Sequence, residues 1–196
     1  AASIGTDAAT VLAALVIAPD AVVTITGDDG ISVADFNAID AVTAGVVTTT
    51  ISNTAITDLA GISGTGNALS ITVATSTVSA SDLLSVNAAT TIAVTATAVT
   101  RVNGSVDNAL ELISDVNLNE ITGLSTAQFR LSDTVSSTTV EILQITDFTS
   151  GRVVSLTETY VGSVEDFGDN FVENSFFGLI YTNDLITNSS FAIELT

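Results

Sequence analysis

Two clusters of acidic residues are the places where this sequence could bind a ligand. The oxygen-bearing side chains in these clusters are Asp28, Asp29, Glu165, Asp166, Asp169 and Asn170. Calcium takes six to eight oxygen ligands, which carboxylates, amides and backbone carbonyls supply together. The six residues are therefore the candidate metal ligands, and Ca²⁺ is the cofactor they indicate. The alternative is local, because Asp-Asp-Gly is a common turn sequence and the second cluster could be a solvated helix end.

The residue types that perform most enzymatic chemistry are missing from this chain. It contains no His, Cys or Lys, which excludes the usual catalytic triad, a thiol nucleophile and a Schiff base. A pair of carboxylates could still cleave a glycosidic bond, as in glycoside hydrolases. The absence of Trp leaves few side chains to stack on sugars. We therefore predict a protein that is not an enzyme and has no catalytic residues.

The charge of the chain excludes two classes of partner. It carries 22 acidic residues against three basic ones, for a formal net charge of −19. Nucleic acids and anionic membrane surfaces would repel such a chain. Its most apolar early stretch, Val11 to Ala18, is too short to cross a membrane. We expect no nucleic-acid binding and no membrane insertion, and we expect the chain to be a processed product or a piece of a larger protein.

A repeated pattern of about 23 residues organises the sequence, with a short alternating apolar run followed by an amphipathic return. The predicted strands are Val22–Thr26, Val46–Ile51, Ala68–Val73, Thr91–Thr95, Ala109–Ile113, Gln128–Ser132, Arg152–Thr157 and Gly178–Thr182. The predicted helices are Val33–Ala41, Ala80–Asn87, a short one near Leu118–Leu124, and an N-terminal one at about Asp7–Leu15. Strands joined by crossovers of this length should pair in parallel.

These elements predict a mainly β repeat solenoid with parallel strands, short helical returns and about 23 residues per coil. The alternative is a pure parallel β-helix in which the returns are also strands. We place the solenoid, with an N-terminal helical cap, at residues 1–147. Residues 148–196 hold six of the eight Phe and both Tyr. They predict an aromatic-rich C-terminal region for capping or assembly, because an open sheet edge needs cover.

Four segments, at residues 31–45, 51–73, 77–91 and 129–143, carry a resemblance to known proteins. They resemble the Thr/Ala/Val-rich β-strand repeats of large surface proteins in cyanobacteria and other aquatic bacteria. A further segment at 145–156, ITDFTSGRVVSL, is similar to a C-terminal segment of type I secreted, RTX-like proteins. The matching residues are Ile145, Asp147, Phe148, Gly151 and Leu156, whereas Val153 replaces the usual Asp. The glycine/aspartate nonapeptides of that family are missing.

What the resemblance implies is export without an N-terminal signal and a location outside the cell, at the cell surface. Together with the repeats, it predicts a structural protein that self-assembles into a filament, sheath or surface layer (S-layer). The expected partner is a further copy of the chain, joined through the C-terminal strand at 190–195. Two alternatives remain open, namely a carbohydrate-binding or carbohydrate-cleaving solenoid and a spacer fragment of a large adhesin.

Overall fold

The computed structural model describes residues 2–3, 8–15, 20–27, 29–132, 137–151, 153–155, 159–162 and 192–195. The chain divides into two compact units. Unit 1 comprises Ala1–Thr75, Asp82–Ala98 and Leu118–Thr122, and unit 2 comprises Ser76–Ser81, Val99–Asn117 and Gly123–Thr196. Each unit is described by itself below.

The helices in the described part of the chain are α1 (Ala8–Leu15), α2 (Val33–Asp40), α3 (Ile56–Leu59), α4 (Ala80–Ala88), α5 (Val106–Asn117) and α6 (Thr139–Phe148). The strands are β1 (Ala2–Ser3), β2 (Val23–Thr24), β3 (Val47–Thr50), β4 (Ala68–Ser70), β5 (Thr77–Ser79), β6 (Val94–Thr95), β7 (Arg101–Gly104), β8 (Ile121–Thr122), β9 (Gln128–Leu131), β10 (Ser137–Thr138), β11 (Val153–Ser155), β12 (Thr159–Gly162) and β13 (Ala192–Leu195).

The architecture is mixed α/β, so the prediction of a mainly β solenoid is wrong, as is the pure parallel β-helix. The described residues form no solenoid. Their strands, of two to four residues, lie in four short parallel sheets, and their helices span four to twelve residues. The returns fold as helices because they carry helix caps and apolar stripes with a helical period, which rules out the pure β-helix. Most of these helices span eight to twelve residues, whereas no described strand exceeds four, so the described chain is not mainly β.

The prediction of parallel pairing is confirmed for the described strands. The two residues of a pair are 20 to 33 positions apart in the sequence. Thr48 and Ala68 have the shortest separation, and Thr159 and Ala192 have the longest. The sheets have the orders β1-β2-β3-β4 and β6-β8 in unit 1, and β11-β9-β7-β5 and β10-β12-β13 in unit 2.

Helix α2 shows why the returns are helical. The backbone N–H of Asp35 donates to Ser32 Oγ at 3.1 Å, which caps the first turn. Val33, Phe36 and Ile39 lie on one stripe, and all three are buried. Burial of such apolar side chains contributes roughly 1.5–3 kcal/mol each. The predicted helices at Val33–Ala41 and Ala80–Asn87 are thus confirmed to within a residue at their ends.

Two predicted elements are wrong. The predicted strand Ala109–Ile113 lies inside α5, where the buried residues Val106, Ala109 and Leu112 recur every three positions. The hydroxyl of Ser105 starts this helix by accepting from Asn108 N–H at 3.1 Å. The short helix predicted near Leu118–Leu124 is instead a turn that leads into β8. The predicted strand at 178–182 lies outside the described residues.

The core of unit 1 is held together by buried apolar residues and by one buried amide. Val47 of β3 is fully buried, and its N–H donates to Asn67 Oδ1 at 2.8 Å. The amide of Asn67 donates in turn to Asp40 Oδ1 at 2.8 Å, and Asn67 is only 3% exposed. Gly64 lies against both Asp40 and Asn67, so a side chain there would displace them.

Unit 1 repeats this bonding pattern at a more accessible position. The N–H of Val33 donates to Asn53 Oδ1 at 2.9 Å, and the Asn53 amide donates to Asp58 Oδ2 at 3.0 Å. In both cases the Asn side chain pairs with a backbone N–H 20 residues earlier. Because Asn53 is half-buried rather than buried, the two positions form a natural comparison.

Unit 2 is built on the sheet β11-β9-β7-β5 with α5 and α6. One row of its sheet, formed by Val78, Val102, Phe129 and Val153, is at most 1% exposed. The ring of Phe148 contacts Phe129 edge to face, with ring centroids 6.0 Å apart. Edge-to-face pairs add about 0.5–1.5 kcal/mol beyond area burial. The end of α6 is thereby fixed to the inner side of the sheet.

A threonine hydroxyl ties chain segments together after a helix in each unit. Thr43 Oγ donates to Ala21 O at 2.8 Å and accepts from Gly45 N–H at 3.0 Å. After α6, Thr149 bonds in the same way to the carbonyl 22 positions earlier and to the N–H of Gly151. In both cases the glycine sits against a backbone carbonyl that a Cβ atom would overlap. The pattern Thr-x-Gly therefore marks the passage from helix to the next strand.

Candidate functional site

Of the six predicted calcium ligands, the structure describes one. Asp29 is exposed and precedes Gly30, which has φ of 68° and whose N–H donates to Gly27 O at 3.2 Å. This geometry is that of a tight turn, and a turn also explains the Asp-Asp-Gly sequence. The remaining ligands lie outside the described residues, and they are Asp28, Glu165, Asp166, Asp169 and Asn170.

Within the described ranges, no three His, Cys, Asp or Glu side chains are close enough to hold a metal ion together. Calcium binding at the two sequence clusters stays a prediction.

A positively charged face lies on the outward side of the sheet in unit 2. We call Arg101, Asn103, Gln128 and Arg130 the arginine face. Arg101 pairs in register with Gln128, and Asn103 pairs with Arg130 across the same two strands, β7 and β9. Both arginines are exposed, whereas the residues between them, Val102 and Phe129, point inward and are buried. Strand alternation thus places the two guanidinium groups on one surface.

The polar groups of the arginine face are only partly satisfied within the chain. Arg101 Nε donates to Gln128 Oε1 at 3.0 Å. Asn103 Oδ1 is buried and has no hydrogen-bond partner. Among the described residues, neither Arg101 nor Arg130 forms an ion pair with a carboxylate. Within the described ranges, these two guanidinium groups therefore have no carboxylate partner.

Acidic side chains recur at a fixed place, the first turn of a helix. The residues are Asp35 in α2, Asp58 in α3, Asp82 in α4, Asp107 in α5 and Glu141 in α6. A carboxylate there is stabilised by the positive end of the helix dipole. No described helix has a basic residue in its last turn. Three of these acids, Asp35, Asp58 and Asp107, are exposed, so they place negative charge on the surface at the starts of α2, α3 and α5.

Strand β13 forms one edge of the sheet β10-β12-β13. It pairs in parallel with β12 over four residues, from Thr159↔Ala192 to Gly162↔Leu195. No other described strand pairs with its far side. Successive backbone N–H and C=O groups of a strand point to opposite edges, so half of those in β13 face away from β12. An edge of this kind is a template for a strand from another chain.

Unit 1 also has a surface cleft of about 560 Å³ beside the turn that precedes β8. Ile92 and Leu118 in its lining are 42% and 65% exposed. Asn87 Nδ2 donates to Glu120 Oε2 at 3.2 Å across it. The volume suits a small ligand, but the described lining contains no aromatic side chain for stacking on a sugar ring.

Sequence reasoning missed the arginine face because β7 was not predicted. The signal was present in the alternation Arg101-Val102-Asn103, which repeats as Gln128-Phe129-Arg130. Alternating polar and apolar residues of this kind indicate a strand with one exposed face.

The comparisons with known proteins give no relative, since no family model matches the sequence and neither the curated proteins nor the solved structures contain a significant match. In the part of the chain that the structure describes, no helix has the length and apolar character needed to cross a membrane.

Proposed function

We propose that the protein is an extracellular structural protein that joins with further copies of itself into a filament, sheath or surface layer at the cell surface. The proposal gives the chain no catalytic role and no nucleic-acid partner. Its composition supports this, because the reactive side chains of most enzymes are missing and the net charge of −19 repels polyanions. The resemblance of residues 31–45, 51–73, 77–91 and 129–143 to surface-protein repeats points the same way.

The observation that carries the proposal is the open edge of β13. The four-residue ladder between β12 and β13 leaves the outward N–H and C=O groups of β13 without a described partner strand. A strand of a second copy that pairs there would form up to about four hydrogen bonds, each contributing roughly 0.5–1.5 kcal/mol. Such a contact is weak alone because association costs several kcal/mol. It becomes effective when further contacts between the same two copies act with it.

The test is to block this edge in the full chain and to measure self-association by analytical ultracentrifugation and negative-stain microscopy. Proline removes a backbone N–H, and we would place it separately at Ile193 and at Glu194. Because adjacent N–H groups face opposite edges, one variant removes an outward donor and the other removes a donor to β12. We expect the native chain to form growing oligomers and both variants to remain small.

A peptide with the sequence of residues 191–196, FAIELT, provides an independent readout because it leaves the chain unchanged. In excess, it should cap the edge of β13 and shorten the assemblies, whereas a scrambled peptide should not. Dispersed monomers of the native chain at every concentration, both with calcium and with a chelator, would refute the proposed function.

A further inference from the structure

We propose that the arginine face of one copy binds the acidic helix starts of a second copy, with Asp35 and Asp58 as the receiving carboxylates. This inference rests on the proposed self-association and names its second contact. Its basis is the contrast between a chain with 22 acidic residues and a surface that presents two of its three cations side by side.

The geometry of the arginine face suits carboxylate binding. Arg101 and Arg130 lie on adjacent strands, in register positions two residues apart along each strand. Neighbouring strands are about 4.8 Å apart, and two residues along a strand span about 6.6 Å. The two guanidinium groups are therefore anchored close together on a rigid sheet. A guanidinium presents a planar fork of donors that matches a carboxylate.

The receiving surface lies on two successive helices of unit 1. Asp35 and Asp58 are both exposed and lie in the first turn of their helices. One oxygen of each carboxylate accepts a hydrogen bond within the chain, from Ser32 Oγ at 2.7 Å and from Asn53 Nδ2 at 3.0 Å. Their helices α2 and α3 are tied together, since Asn37 Nδ2 donates to Gly61 O at 2.8 Å. The two carboxylates are thus held by linked elements, as the two arginines are. Each surface presents a pair of like charges, and the two pairs have opposite signs.

Long-range electrostatics explain why such a contact is needed. Two copies that each carry a net charge of −19 repel one another unless salt or a local contact of opposite sign compensates. A patch of opposite charge also fixes the orientation in which the copies meet. The arginine face would therefore select which surfaces join, while the edge of β13 supplies backbone pairing.

The experiment compares self-association of the full chain with that of a double variant, Arg101→Gln/Arg130→Gln. The control, Thr97→Asp/Ala98→Asp, changes the net charge by the same two units, but at an exposed turn of unit 1. We expect the arginine variant to self-associate about tenfold more weakly than the control at 0.15 M salt. Arg101→Lys/Arg130→Lys, which keeps the charge but not the fork, should show an intermediate loss.

A charge exchange tests the pairing itself and does not require the glutamine variant to fold. Two variants reverse the charges, one on the arginine face (Arg101→Glu/Arg130→Glu) and one on the receiving helices (Asp35→Lys/Asp58→Lys). Each variant alone should self-associate weakly, whereas a mixture of the two should associate about as well as the native chain. Salt screens the repulsion between copies in both proteins, but it screens the arginine contact only in the native chain. Raising the salt concentration should therefore narrow the difference in self-association between the native chain and the arginine variant.

The inference is overturned if the arginine variant and its control associate equally within twofold, or if the mixture shows no rescue. In that case the proposed function survives as long as the native chain still assembles. Loss of binding to an acidic polysaccharide, with unchanged self-association, would also overturn it and assign the arginine face to that ligand. A native chain that never assembles refutes both proposals.

Discussion

The buried amide of Asn67 should be far more important for stability than its accessible counterpart, Asn53. Each amide accepts from a backbone N–H 20 residues earlier and donates to an Asp carboxylate. Asn67 is 3% exposed, and the N–H that it pairs with belongs to the fully buried Val47. Truncation to Ala at this position leaves that N–H without a partner and without access to water.

The expected magnitudes follow from this difference in burial. A buried donor left unpaired costs about 1–3 kcal/mol, and loss of the hydrogen bond to Asp40 adds to it. We expect Asn67→Ala to reduce the free energy of unfolding by roughly 2–4 kcal/mol. Asn53→Ala should cost only about 0.5–1 kcal/mol, because water can reach the freed groups.

The assay is urea-induced unfolding followed by far-UV circular dichroism, which needs no Trp fluorescence. The two single variants are compared in the same buffer, with unchanged m-values as evidence that the unfolded state is the same. Equal costs for the two variants, or a larger cost for Asn53→Ala, would contradict the reasoning.

A third variant, Asn67→Asp, separates charge from hydrogen bonding. It keeps the acceptor for the Val47 N–H but replaces the donor to Asp40 with a second carboxylate. Two carboxylates at this distance favour a shared proton, which raises the pKa of the introduced group in the folded state. The loss of stability relative to the native chain should therefore be smallest at low pH and should grow as pH rises above about 4. A loss that does not change between pH 3 and pH 7 would contradict this account.

Four further predictions concern other positions. Gly45→Ala should destabilise the protein by more than about 2 kcal/mol because its Cβ would overlap a backbone carbonyl. Gly66→Ala, at φ of 75° but in open space, should cost only about 1–2 kcal/mol in the same urea assay. Asn103→Val should raise the midpoint of urea unfolding, since it removes a buried acceptor without a partner and favours the strand. Calcium should raise Tm relative to a chelator, as measured by calorimetry, and Asp166→Asn/Asp169→Asn should abolish that rise while magnesium has no effect.

The elements that could be predicted from sequence are those with local signals. Ser32 followed by an acid three positions later, then Phe36 and Ile39 on one stripe, predicts α2 almost to its ends. Parallel pairing also followed from the spacing of the apolar runs. In contrast, the run Ala109–Ile113 contains both alternation and helical spacing, and only the cap at Ser105 distinguishes the two.

The surfaces were harder to predict than the elements, because they depend on which strands become neighbours. Arg101 and Arg130 are 29 positions apart in the chain, and only the pairing of β7 with β9 brings them to one face. The amide of Asn67 likewise acts on a residue 20 positions earlier. Composition indicated that cations are scarce, but register decides where they meet.

The short distances between paired strands have a consequence for how the chain reaches its native state. Every described pair joins residues 20 to 33 positions apart, so each loop that must close is small. Loop closure of this size costs little additional entropy, and proteins with local contacts fold quickly. A strand can therefore find its partner as soon as the following few dozen residues become free. A polypeptide that emerges slowly from a ribosome or a secretion channel would therefore pair its strands one after another, in the order in which they emerge.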